Sequence, residues 1–301
     1  MIRTIAAAAS VLVLVGSVPA SAKDITVVAS FTVLADMVQQ VGGHHVHVSS
    51  LVGPNGDPHV YEPSPSDVNA ISQAELVFVS GLGLEGWLDR LIAASGTKGK
   101  TIVVSDGITP RTMVDEDDGP TKGQMITDPH AWNSAANAVI YATNIEKALI
   151  AAAPEDAAAI KASGDRYIAQ LQALDAWARQ EIAAVPKAKR KVITSHDAFS
   201  YMGTAYGISF IAPQGISTEA EPTAAQVATL IKQIRAEKVK VVFLENQTDS
   251  RLAKQVAHEG GAKIGGALYP ESLSTHDSPA ATYVDAFTYN IKTLKAGMLA
   301  N

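Results

Sequence analysis

Residues 154–184, PEDAAAIKASGDRYIAQLQALDAWARQEIAA, decide how the rest of the chain is organised. Pro154 marks a boundary, and the thirty residues after it contain few helix breakers. Ile160, Tyr167, Ile168, Leu171, Leu174, Ala178 and Ile182 recur at helical spacing. At the helical rise such a segment runs about 45 Å, long enough to join two lobes as a strut. Burial in the core of a single domain is the alternative, but Lys161, Asp165, Arg166, Arg179 and Glu181 argue for a partly solvated face.

Short apolar runs alternate with helical patterns on both sides of this segment, as in parallel-sheet α/β units. Before it, strands are predicted at 24–29, 45–51, 76–80 and 101–104, with helices at 32–41, 66–74 and 84–95. A polar loop then leads to a helix at 133–152. After it, strands are predicted at 191–194, 209–211, 239–244 and 262–268, with helices at 198–205, 223–237, 251–259 and 280–300. The expected fold is therefore α/β: a lobe at 23–154, a long rigid linker helix at 155–185, and a second lobe at 186–301, each with a parallel-rich sheet.

Residues 1–22 read as a cleaved secretory leader rather than part of the fold. Arg3 is a basic start, 5–18 an apolar stretch, and Ala20-Ser21-Ala22 a small-residue cleavage site. The apolar stretch is too short for a transmembrane anchor. The chain has no cysteine, so neither disulfides nor lipidation of an N-terminal cysteine is expected. A periplasmic protein without lipid anchor or stable membrane insertion follows as the expectation. Without Arg3 the 24 basic side chains fall to 23 against 30 acidic ones, a formal charge of −7. That balance, with no basic tract, argues against nucleic acid or anionic membrane as a partner.

Asp-Pro-His occurs twice, at Asp57-Pro58-His59 and Asp128-Pro129-His130. Proline fixes its own φ and biases the preceding residue toward extended geometry, so each histidine is presented from a stiff loop. His59 follows the strand at 45–51, His196 the strand at 191–194, and Glu271 the strand at 262–268, while His130 sits at a helix entrance. In open α/β sheets the C-terminal strand ends face the ligand crevice. Four donors from four loops could thus converge between the lobes. Three neutral imidazoles and one carboxylate complete a four-coordinate shell for a borderline cation such as Zn2+. Asp128, two residues before His130, and Asp197, next to His196, are candidate acceptors for imidazole N–H groups.

Six segments extend this pattern: DPHVYEPSPSD (57–67), DPHAW (128–132), SHDAF (195–199), PQG (213–215), GGALYPESL (265–273) and ATYVDAFTYN (281–290). In order and content they resemble the metal-binding solute receptors of ABC importers, the family that delivers zinc or manganese to a membrane permease. The resemblance covers essentially the whole mature chain. It implies two α/β lobes joined by a rigid helix, with one transported metal ion in the interlobe cleft on His59, His130, His196 and Glu271. It also implies a separate permease, since the chain has no phosphate-binding loop or membrane span. A monomer is expected, with a periplasmic metallochaperone as a further partner.

Two features depart from the family pattern. Its fourth ligand is commonly aspartate, where this chain has Glu271; His276 and Asp277 lie close enough in sequence to be alternatives. Many zinc receptors carry a histidine-rich loop before the second Asp-Pro-His, and here that loop reads Asp115-Glu116-Asp117-Asp118. Histidine at the third position is more typical of zinc receptors and a carboxylate there of manganese receptors, so His196 favours Zn2+ over Mn2+, in accord with ligand softness.

Other polar residues have plainer readings. His44, His45 and His47 suit a solvated surface near a turn, and His258 an exposed helix face. Trp132 suits packing, Glu245 either the cleft or a cap, and Glu62, Ser64, Ser66 and Asp67 turns and a helix start. A rival reading, a zinc hydrolase, needs an open coordination position and a general base. The fourth donor closes that position, and no base motif accompanies the histidines. A metal-stabilised adhesin has no positive feature in the sequence.

Overall fold

The structure, a computed structural model, describes residues 24–114, 122–213, 215–219 and 222–301. The leader expected at 1–22, the acidic run at 115–118 and Gln214 lie outside the described residues. The first lobe begins with β1 (Ile25–Phe31), α1 (Thr32–Gly42), β2 (Val46–Val52), α2 (Pro65–Gln73), β3 (Leu76–Val79), α3 (Leu88–Ser95) and β4 (Lys100–Val103). Its sheet is parallel in the order β2-β1-β3-β4. The central strand β1 is almost wholly buried, as expected of a strand covered on both faces.

Then come β5 (Arg111–Val114), β6 (Met125–Asp128), α4 (Ala135–Ala152) and the long helix α5 (Ala157–Ala183). The second lobe holds β7 (Lys191–Ile193), α6 (Ser200–Tyr206), β8 (Ser209–Ile211), α7 (Ala224–Glu237), β9 (Val241–Glu245), α8 (Ser250–Gly260), β10 (Lys263–Leu268) and α9 (Tyr283–Ala300). Its sheet is also parallel, in the order β10-β9-β7-β8. The molecule is thus a two-lobe α/β protein with parallel sheets.

α5 buries Ile160, Gly164, Tyr167, Leu171, Leu174, Ala178 and Ile182 along one face. Near its start it meets α4, where Lys161 pairs with Glu146 at 3.5 Å. Near its end Glu181 pairs with Lys295 of α9 at 2.8 Å, and Asp175 accepts from Tyr206 of α6 at 2.9 Å. The helix therefore touches both lobes, as a strut must. The main core is continuous from β1 through α5 to Leu268 and Met298, and a smaller one lies between the second sheet and helices α7 and α8. Hydrogen bonds also cross directly: Thr32 Oγ1 accepts from Leu273 N at 2.9 Å, and Asp36 accepts from Tyr283 N at 2.8 Å.

Two elements differ from the sequence reading. The polar loop after β4 contains the antiparallel pair β5–β6, whose four-residue strands are too short to show a period. The helix expected from residue 84 starts at Leu88. Glu85 turns its carboxylate back to accept from Ser80 N (2.7 Å), Gly81 N (3.1 Å) and Ser30 Oγ (2.7 Å). That clamp holds a turn with left-handed φ at Gly81, Leu82 and Gly83, which delays the helix. No described helix is long and apolar enough to cross a membrane.

Candidate metal centre

The first lobe contributes two histidines. His59 lies between β2 and α2, where Asp57 Oδ1 accepts from His59 N at 2.9 Å and Pro58 O accepts from Trp87 Nε1 at 2.8 Å. Just beyond, Asp67 accepts from Ser64 N (2.7 Å) and Tyr61 Oη (2.9 Å), so these polar groups build the start of α2. His130 follows β6. Asp128 Oδ1 accepts from His130 N at 3.0 Å and lies 2.9 Å from His130 Nδ1. An acceptor at Nδ1 assigns the ring proton there and leaves Nε2 as the donor to a metal.

The second lobe contributes His196 and Glu271. Glu245, at the end of β9, accepts from Ser195 N (2.8 Å) and His196 N (3.1 Å) with Oε1, and its Oε2 lies 2.5 Å from His196 Nδ1. The sequence reading gave this role to Asp197, and the structure corrects it. Asp197 instead accepts from Ser200 Oγ at 2.9 Å, at the start of α6. Pairing of β7 with β9 carries Glu245 to the imidazole, a neighbour that sequence adjacency does not reveal. Glu271 follows β10, and the carbonyl before it, Pro270 O, accepts from Trp132 Nε1 (2.8 Å) and Asn133 Nδ2 (3.0 Å). The His130 loop thus holds the Glu271 loop in position.

Between the lobes the four side chains meet. His59 Nε2 is 3.1 Å from His130 Nε2, and Glu271 Oε1 lies 2.8, 2.6 and 3.0 Å from the Nε2 atoms of His59, His130 and His196. His130, His196 and Glu271 are fully buried, while His59 retains 7% exposure. Zinc–ligand bonds of about 2.0–2.1 Å imply tetrahedral edges of about 3.3 Å, so these separations need open only by tenths of an ångström around an ion. Among the described residues this is the one group of three or more potential ligands. His276 and Asp277 are exposed and outside it. His45 sits at the foot of α5, 3.2 Å from Asp156.

The charges are mutually dependent. Burial opposes protonation of His130, but its bonds to Asp128 and Glu271 outweigh that and hold the imidazole up at about 9. Burial likewise works against His196, and the charges of Glu245 and Glu271 raise it well above the ordinary range. Burial would raise Glu271, yet His59 and His196 hold it well below the usual carboxylate range. The centre is therefore an anionic pocket that attracts cations, protons or metal, and any metal must displace the protons. Asn133, Trp87 and Gln247, whose amide reaches Glu271, escaped the sequence reading because they act through neighbours distant in sequence.

A family profile described as "Zinc-uptake complex component A periplasmic" matches residues 27–297. The chain belongs to this family. It is 35% identical over 277 residues to the iron-binding protein YfeA of Yersinia pestis, spanning 92% of this chain and 87% of that protein. To the manganese-binding lipoprotein MntA of Bacillus subtilis it is 31% identical, spanning 90% and 89%. The solved Mn-bound periplasmic metal-binding protein of Candidatus Liberibacter asiaticus matches with a TM-score of 0.80 at 31% identity, covering 92% of this chain and all of that one. The periplasmic zinc-binding protein TroA of Treponema pallidum gives 0.83 at 26% identity, covering 92% and 99%. Members of the family are metal-binding solute receptors that work with a membrane permease and an ATPase. The chain is such a receptor and not an enzyme, which sets the hydrolase reading aside.

Proposed function

We propose that this receptor binds Zn2+ on His59, His130, His196 and Glu271 and presents it to the permease of its importer. One observation carries the reading: three imidazole Nε2 atoms face a single carboxylate oxygen in a buried cleft. Imidazole-rich, four-donor shells suit zinc, whereas manganese favours more oxygen ligands. Two of the imidazoles also have carboxylate partners on Nδ1, which fix the tautomer a metal needs. Mn2+ or Fe2+ is the second reading, favoured by relatives named for those metals at 31–35% identity.

The basic start, apolar stretch and Ala20-Ser21-Ala22 site of residues 1–22 support export to the periplasm. We propose a monomer that receives metal free or from a periplasmic metallochaperone. The strut α5 supports release by loop movement rather than wide domain closure; strongly different scattering profiles for metal-free and loaded protein would contradict this. Elemental analysis of protein purified without added metal, followed by zinc–manganese competition, tests the main reading. One zinc per chain that equimolar manganese does not displace is expected. Displacement would overturn the choice of zinc, and undiminished affinity in the alanine variants of all three histidines would overturn the site.

A further inference from the structure

Glu271 uses its two carboxylate oxygens differently. Oε1 faces the three histidines, while Oε2 accepts from Gln247 Nε2 at 3.1 Å. We infer that Gln247 is a positioning residue that holds Glu271 to one-oxygen coordination and thereby selects a four-coordinate cation. The inference rests on the metal-site reading above. Only the amide nitrogen of glutamine can donate to a carboxylate, which orients the side chain. Its other end, Oε1, is buried without a partner among the described residues, so Glu271 is what holds the amide. The residue lines an interlobe cavity of about 280 Å3 with Asp57, Ser195 and Thr218, beside the cleft.

The physical logic follows from the donor count. Turning Oε2 inward would give the ion a fifth ligand, as oxygen-seeking cations such as Mn2+ prefer. That turn would break the bond to Gln247 and cost the half-buried amide N–H its partner on Glu271. Glutamate has one more rotatable bond than aspartate, so this side chain needs an external restraint more than the shorter one would. Gln247 lies two residues past β9, and Glu271 three past β10, so the pairing of those strands brings them together.

The test is Gln247→Met, which removes the donor and keeps the volume, with Zn2+ and Mn2+ affinities measured side by side. The zinc-to-manganese affinity ratio should fall roughly 10- to 100-fold. Cobalt substituted into the variant should show weaker visible bands, the mark of a higher coordination number. Equal weakening of both metals with an unchanged cobalt spectrum would overturn the inference. Gln247→Glu, which repels Oε2, should move the ratio the same way and serves if the methionine variant folds poorly; an unchanged ratio in that folded variant also overturns it. Wild-type protein that takes up no zinc, or that keeps it after His130→Ala, would instead bring down the metal-site reading itself.

Discussion

The two Asp-Pro-His loops have the same three residues and the same local turn, in which the aspartate accepts from the histidine N–H. Their surroundings make them different devices. Asp128 is buried and also meets its own histidine's Nδ1, so its loop fixes the orientation of a fully enclosed ring. Asp57 sends its second oxygen across the cleft to accept from Thr218 Oγ1 at 2.7 Å, and its histidine is the least buried of the four. Burial, followed by the charge of Glu271, pushes the Asp57 carboxyl up. One loop is an anchor and the other a latch between lobes. A motif sets a turn; what packs on it sets the task.

This contrast can be broken by mutation. Removing a ligand should have the largest effect: His130→Ala and His59→Ala should each weaken zinc by more than about 100-fold, beyond the range of outer contacts. His130→Ala should be the worse, because it strands Asp128 without its imidazole partner. Chelator competition would show this, and equal losses would erase the distinction. Asp128→Asn comes next, expected at 10- to 100-fold, while Asp57→Asn should cost less than tenfold because its side-chain oxygen can still accept from His59 N.

Acidity supplies the third test. Metal-free His130 stays protonated until pH about 9, and zinc needs the neutral ring. Affinity should therefore climb as pH rises from 6 toward 9, about tenfold per unit for each proton displaced. Calorimetry in buffers of different ionisation enthalpy would count the protons, and a flat profile would contradict the raised imidazole. The smallest effect belongs to the latch. Thr218→Val removes one hydrogen bond, about 1 kcal/mol, and should appear chiefly as faster release in stopped-flow transfer to a chelator.

Much of this was legible in the residues themselves. All four donors follow strands or precede a helix, so a correct element map already directs them to one crevice. The strut could be read from the period of its apolar face, although Gly164, which lets Glu146 approach α5, carried no such signal. What stayed hidden depends on strand pairing. Glu245 and His196 are partners across 49 residues because β7 lies beside β9, and Gln247 reaches Glu271 because β9 lies beside β10. The start of α3 is hidden for a related reason, since the carboxylate of Glu85 bonds backward to Ser80 N and Gly81 N instead of joining a helical turn.

The core that runs unbroken from β1 through α5 to α9 has a consequence for how the chain melts. α9 ends the chain, yet Tyr283 at its start donates to Trp132 O and, through its backbone, to Asp36 in the opposite half. The larger interior is shared by both halves, so the halves should not survive apart. A single calorimetric transition is the expected signature, raised as a whole by bound metal. The ion's grip on a few atoms in the cleft is thus shared by the entire polypeptide as resistance to unfolding.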